Sequence, residues 1–324
     1  AEAEKVADVL LKYREPEGSP LEGFTFTYIA DMLPDWEGKS AGQHMLTYPA
    51  GAAAALLDLY EKDRVPRYLE AAKLIAKTYL RLQGEDGSWP LKTDGRTGCA
   101  TCANRTMPLG IASFLARLGK TTGDAAYGAA SDRAFAFIER GPLTDWNWEG
   151  QFEDTPPRPP YENLTKHDAC STAIYIVDRY PGDRARLAQA RSLLRFAEDL
   201  FVNWEKPFTE GRIPPIKGGY YNHFWDQDKF ICPCVFEQYG CYTPVDASAA
   251  KLIRTYLALY RAEGDQTDLA KARALGDAIT RMTDDDGLES TWWCENTRRK
   301  DIWPNCMAAC AAALSELADA EQRK

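Results

Sequence analysis

Residues 47–82 read TYPAGAAAALLDLYEKDRVPRYLEAAKLIAKTYLRL. Two amphipathic helices lie in this stretch, joined by a polar turn. The first, AGAAAALLDLY from Ala50, has small apolar residues at helical spacing. Thr47 and Pro49 suit its start: a Thr hydroxyl can cap a free backbone N–H, and Pro fits a first turn that needs no N–H. The turn EKDRVP follows, and the second helix, YLEAAKLIAKTYLRL from Tyr68, carries more charge. A single hairpin cannot bury both apolar faces, so hairpins of this kind must stack.

The pattern recurs along the chain. Thr47-Tyr-Pro-Ala, Thr106-Met-Pro-Leu, Thr165-Lys-His-Asp and Thr243-Pro-Val-Asp each precede an apolar helical run, at intervals of 59, 59 and 78 residues. Trp303-Pro-Asn-Cys opens a fifth run. Thr165 with Asp168 and Thr243 with Asp246 have capping-box spacing, with Asp in place of Glu. The runs LGIASFLARLG, ACSTAIYIVDRY and ASAAKLIRTYLALY end in GKTTGD, YPGDR and AEGDQ, and a more charged helix follows each turn. The spacing predicts an all-α fold of five to six hairpins, an (α/α) toroid with less charged inner and more charged outer helices. The N-terminal EKVADVLLKY supplies one more outer helix. A single domain over residues 1–324 is expected, and no sustained period-two run predicts strands.

Short turns lead from inner to outer helices, and long loops lead back: 83–105, 140–164, 203–242 and 283–302, with 14–46 before the first. Connections of one type in up-down hairpins share an end, so these loops are expected at the N-termini of the inner helices. Long loops in a compact domain tend to carry function. His44, His167 and His223 all fall there. So do Trp89, Trp148 and Trp225; any one of them can pack within its loop, while the set gathered at one end is expected to offer flat apolar faces to sugar rings.

Charge and composition narrow the partners. The formal net charge is −9 with no long basic run, which argues against nucleic acid. No apolar run approaches the length of a membrane span, so no membrane partner is expected. No Walker loop, dinucleotide fingerprint, G-x-S-x-G or H-E-x-x-H occurs. Nine cysteines cannot all pair. Cys99 and Cys102, and Cys232, Cys234 and Cys241, form two clusters. Zinc between them is less expected than free thiols, because no four-ligand pattern is completed. Cys170, Cys306 and Cys310 lie in apolar runs and read as core residues.

The chemistry-bearing residues gather at helix entries. Asn163, His167 and Asp168 lie in ENLTKHD, where a helix dipole favours a neutral imidazole. Such a His serves as base or donor, or it satisfies a loop carbonyl. Tyr221 and His223 follow Gly218-Gly219, and Glu237 and Tyr239 lie in FEQYGCY. Arg105 can grip a carboxylate in a bidentate fork or form a surface ion pair.

The hairpin repeat, the Asp86-Gly-Ser-Trp turn, the Asn163-to-Asp168 helix start and the Glu237-to-Tyr242 approach together resemble the α/α-toroid carbohydrate-active enzymes. The closest likeness is to uronate-specific polysaccharide lyases of the alginate or glucuronan lyase type. The resemblance implies β-elimination on a uronic-acid-containing glycan. It casts Asn163 and His167 as neutralising the uronate carboxylate, with Arg105 assisting, and His223 and Tyr239 as moving the proton. Tyr221, Trp89, Trp148, Trp225 and Glu237 would bind substrate. No metal or organic cofactor is needed for that chemistry, and the expected location is periplasmic or secreted. The alternative is a glycoside hydrolase on the same scaffold, for example one acting on unsaturated uronyl oligosaccharides. It needs a carboxylate acid, from Asp94, Asp154, Asp168, Glu237 or Asp246. A non-catalytic glycan-binding toroid is a third reading.

Overall fold

A computed structural model describes residues 2–27, 42–152, 158–205, 231–238, 241–291, 293 and 302–322. The fold is all-α, with short strands inside the long connections. The chain divides into two compact units, Ala1–Asn147 with Gln151–Arg158, and Trp148–Gly150 with Pro159–Lys324.

The first unit holds α1 (Glu2–Lys12), β1 (Gln43–Met45), α2 (Tyr48–Asp63), α3 (Pro66–Leu82), β2 (Lys92–Asp94), α4 (Leu109–Thr122), α5 (Ala125–Arg140) and the short α6 (Pro142–Asp145). Helices α2 and α3 form one hairpin and α4 and α5 the next, with α1 packed on α2. Its core joins Ala50, Ala53, Leu56 and Leu57 of α2 to Ala72, Ile75, Ala76 and Tyr79 of α3 and Ile111, Ala112 and Leu115 of α4. Strands β1 and β2 pair antiparallel, with His44 opposite Thr93.

The second unit holds α7 (His167–Arg179), α8 (Arg184–Phe201), β3 (Val202–Asn203), β4 (Cys234–Gln238), β5 (Cys241–Pro244), α9 (Asp246–Glu263), α10 (Gln266–Met282) and α11 (Pro304–Gln322). Strands β3, β4 and β5 form an antiparallel sheet in that order. Helix α9 packs against α7, α8, α10 and α11 and buries residues on every side, from Ala249 to Leu259. That makes α9 the centre of this unit, and its N-terminus is the natural focus of the surrounding loops.

The turns after α4, α7 and α9 are built alike. Gly123, Gly182 and Gly264 lie after α4, α7 and α9 with φ of 75, 81 and 75°. The next residue caps the following helix. Asp124 accepts from the Ala126 N–H, Asp183 from Ala185 and Arg186, and Asp265 from Thr267. Left-handed Gly followed by a capping Asp reverses the chain in two residues.

The inner-helix starts differ from expectation. Lys166, Pro108 and Val245 occupy the N-cap positions of α7, α4 and α9, and Thr47 makes no capping hydrogen bond. The buried hydroxyls of Thr47 and Thr106 have no hydrogen-bond partner. Thr106 and Thr165 sit two residues and one residue before their N-caps, in segments that pair through their backbones: Thr106 N–H donates to Trp89 O, and Thr165 N–H to Trp148 O. Among the described residues, no helix is long and apolar enough to cross a membrane.

Candidate functional site

The second unit concentrates titratable groups around the first turns of α7, α9 and α11. Lys166 is buried at the N-cap of α7, and its ammonium donates to Glu237 O at 2.6 Å and to Ser248 Oγ on α9. The Thr165 hydroxyl also donates to Glu237 O, at 3.0 Å. These bonds tie β4 to both helix starts, and they engage the Thr165 hydroxyl outside any capping box.

One residue on, His167 is exposed and Asp168 half-buried. Lys251, on the second turn of α9, donates to Ser171 Oγ at 3.0 Å and its charge acts on both neighbours. The Lys251 ammonium holds His167 well below the ordinary imidazole value, with desolvation and Lys166 adding to the effect. Solvent reaches the ring, yet enough protein surrounds it to disfavour the imidazolium. Burial pushes Asp168 up to about 6, although Lys251 opposes the shift. Desolvation therefore outweighs the nearby cation, and also the helix N-terminus, which favours a carboxylate. Lys251 itself is lowered, by burial first. His167, Asp168 and Lys251 thus form a cationic, carboxyl-bearing rim at which a neutral imidazole and a protonatable acid coexist near neutral pH.

Beside this rim lies a buried pocket of acids. Asp246, the first residue of α9, is fully buried, and its Oδ1 accepts from Ala247 N–H at 2.6 Å. Glu289 is 4 % exposed. It reaches Asp246 because the turn after α10 repeats the turn after α3. Gly87 N–H donates to Gly84 O and Gly84 N–H to Ser88 O; Gly287 N–H donates to Asp284 O and Asp284 N–H to Leu288 O. The backbone then pairs Asp246 N–H with Thr291 O. Burial pushes Asp246 up to about 7 and Glu289 to about 8, the Asp246 charge adding to the latter. The Cys306 and Cys310 thiols of α11 and the Trp293 indole face these acids. Asp246 Oδ2, Glu289 Oε1 and Trp293 Nε1 nevertheless close no hydrogen bond. The donors are nearby but outside hydrogen-bonding geometry.

The other expected site residues divide. Asn163 is buried, and its amide donates to Gly150 O at 2.9 Å, a loop tie rather than an open donor. Trp89 and Trp148 have 0 % and 1 % exposure and cannot stack on a sugar. The Trp89 indole donates to Tyr79 O, because an apolar ring with one satisfied N–H belongs in the core. Arg105 is engaged by Ser88 Oγ at 2.7 Å, Ser88 O at 3.0 Å and Asp86 at 3.4 Å, so it braces its own turn. Asp94 accepts from Thr97 and Arg96, which lowers its pKa and unsuits it as an acid. His44 is buried against Glu15 at 2.7 Å in the first unit. Glu237 is half-buried at the rim, and its charge adds to burial and the Asp246 charge in raising the Cys306 thiol. His223, Tyr221, Trp225, Tyr239 and Asp154 lie outside the described residues.

Sequence reasoning passed over Lys166, Lys251 and Glu289. Lys251 had a signal: it is the first cation in an apolar helical run, one turn before Arg254. Glu289 had another, two residues past an Asp-Gly turn that the first half of the chain already contains.

No protein-family model matches the sequence, and no curated protein matches it. Solved structures do. An unsaturated glucuronyl hydrolase specific for heparin is 12 % identical, with a TM-score of 0.61, covering 98 % of this chain and 78 % of that one. A family 76 glycoside hydrolase (mannosidase) from Bacteroides thetaiotaomicron is 10 % identical, with a TM-score of 0.59, covering 98 % of this chain and 81 % of that one. Cellobiose 2-epimerase from Spirochaeta thermophila is 15 % identical, with a TM-score of 0.57, covering 86 % and 71 %. Likeness at such identity shows the fold: this chain has the α/α-hairpin toroid fold of these proteins.

Proposed function

We propose that the protein is a glycoside hydrolase acting on an oligosaccharide, with Asp168 as its general acid. The observation that carries this reading is the carboxyl of a half-buried residue, raised to about 6 by burial against the opposing charge of Lys251. A glycosidic oxygen leaves only when protonated, so the acid must hold its proton near working pH. Asp168 meets that condition, whereas Asp94 does not. Lys251 is placed to offset a sugar carboxylate, which favours uronyl substrates over neutral ones. The fold shared with a glucuronyl hydrolase and a mannosidase supports the same reading.

β-Elimination stands second. The neutral imidazole of His167 favours it, since a base must take the C5 proton. Asn163 and Arg105, which that mechanism needs at the uronate carboxylate, are tied into loops instead. Periplasmic or secreted placement goes with either reading as part of the proposal.

The test is a panel of saturated and unsaturated uronyl oligosaccharides and mannosides, assayed with wild type and Asp168→Asn. The proposal expects cleavage by wild type and loss of at least about 100-fold in kcat in the variant. Full activity in a folded Asp168→Asn protein contradicts it.

A further inference from the structure

We propose that Asp246, Glu289 and Cys310 bind a zinc-class divalent cation inside the second unit. One donor atom from each residue lies within 4.8 Å of the other two, and all three residues are buried. Among the described residues, this is where three such donors converge on one point. Three separate elements supply them: the first turn of α9, the loop after α10, and the second turn of α11.

The unpartnered atoms point to a ligand independently of the clustering. Asp246 Oδ2 and Glu289 Oε1 are sealed from solvent and accept no hydrogen bond. Buried polar atoms are almost always satisfied, and leaving a carboxylate oxygen bare forfeits its desolvation without a compensating partner. Two such oxygens in one pocket, with a sulfur alongside, are the donors a cation would fill. Tetrahedral zinc places oxygen and sulfur ligands about 3.5 Å apart, given bonds of about 2.0–2.3 Å. The donors lie within 4.8 Å of one another, so they need to close by about 1.3 Å at most, within reach of side-chain rotation. A thiolate beside two carboxylates suits a borderline metal such as zinc, and not magnesium or calcium. Cys306 is one helical turn before Cys310 and faces Asp246, so it is placed to give the fourth donor. On binding, the Cys310 S–H bond and any carboxyl O–H bond on Asp246 or Glu289 break, those protons go to solvent, and S–metal and O–metal bonds form. Two carboxylates and one thiolate around a dication leave one net negative charge, against two in the cation-free pocket with both acids ionised.

The test uses the full chain. The protein is equilibrated with zinc, passed through gel filtration in metal-free buffer and analysed for metal by mass spectrometry. A parallel sample is loaded with cobalt and read for a thiolate-to-cobalt band in the near ultraviolet. The expected results are near-stoichiometric zinc, a cobalt–thiolate band, and loss of most of both in Cys310→Ser. Glu289→Gln is expected to weaken zinc retention by at least about 10-fold. If a carboxylate variant does not fold, the nearly isosteric Cys310→Ser and the wild-type cobalt spectrum still decide. Trace zinc and no thiolate band in wild type overturn the proposal. So does a cobalt band that persists unchanged in folded Cys310→Ser. Glycan turnover is not read, so failure here leaves the Asp168 assignment standing.

Discussion

The ammonium of Lys166, at the start of α7, donates a hydrogen bond to the hydroxyl of Ser248 on the first turn of α9. The two residues are 82 positions apart, and both are buried. The bond fixes one inner-helix start against the next, and Glu237 O joins it from β4. The charged groups on either side, His167 and Asp168 in one direction and Asp246 in the other, take their spacing from this tie.

Lys166→Met is therefore expected to destabilise the protein. It keeps most of the volume but leaves the Ser248 hydroxyl without its donor and Glu237 O with the Thr165 hydroxyl alone, at a cost of about 1–3 kcal/mol. Urea denaturation measures the change. A variant as stable as wild type contradicts the structural role assigned to Lys166.

Asp168 links stability to pH. Its folded pKa, about 6, lies above its ordinary 3.8. The folded state thus holds the proton more tightly, and stability falls as pH rises through that interval. Asp168→Asn removes the titration. The variant is expected to gain stability over wild type above pH 6, with the gain shrinking as pH approaches 3.8. Gained stability together with lost turnover marks a residue kept for function. Denaturation at a series of pH values tests this, and a pH-independent difference contradicts it.

His167 should stay neutral across the ordinary imidazole range, because Lys251 is the main cause of its lowered pKa. NMR titration of the imidazole resonances in wild type and Lys251→Met reads this directly. The expected result is an upward shift of the His167 midpoint in the variant. A wild-type His167 that titrates at its ordinary 6.5 contradicts the site's electrostatics.

The two Asp-Gly turns offer a matched pair. Gly87 and Gly287 have φ of +87 and +77°. A Cβ at Gly87 would sit 2.1 Å from Arg133 O, whereas one at Gly287 meets nothing within 4 Å. Gly287→Ala is expected to cost about 1 kcal/mol, the left-handed strain alone. Gly87→Ala must also push backbone apart and should cost clearly more. Equal thermal shifts in the two variants contradict this account.

Much of the fold was legible because its signal is periodic. The apolar runs from Ala50, Leu109, Ala169, Ala247 and Met307 all lie in helices, and the Gly-Asp turns stand where composition placed them. The inner-helix starts were less legible. Thr47, Thr106, Thr165 and Thr243 look like caps by type, but Thr47 makes no capping bond, Thr106 and Thr165 are held by backbone loop pairing, and Thr243 lies in β5, none of which a local pattern reports. The short strands β1 to β5 were missed for the same reason, as two- to five-residue ladders lack the length for alternation. Within the site, helix starts located His167 and Asp168. Burial could not be read in the same way, so Trp89 and Trp148 were expected at an open surface and lie in the core. Glu289 and Asp246 meet only through a fold contact, Asp246 N–H to Thr291 O.

The reaction itself is tested most directly by mass spectrometry of uronyl oligosaccharides turned over in heavy-oxygen water. Hydrolysis at Asp168 predicts cleaved products whose summed mass exceeds the substrate by one labelled water. Cleavage with no added mass and a new unsaturated end, or isomerisation without cleavage, contradicts the account.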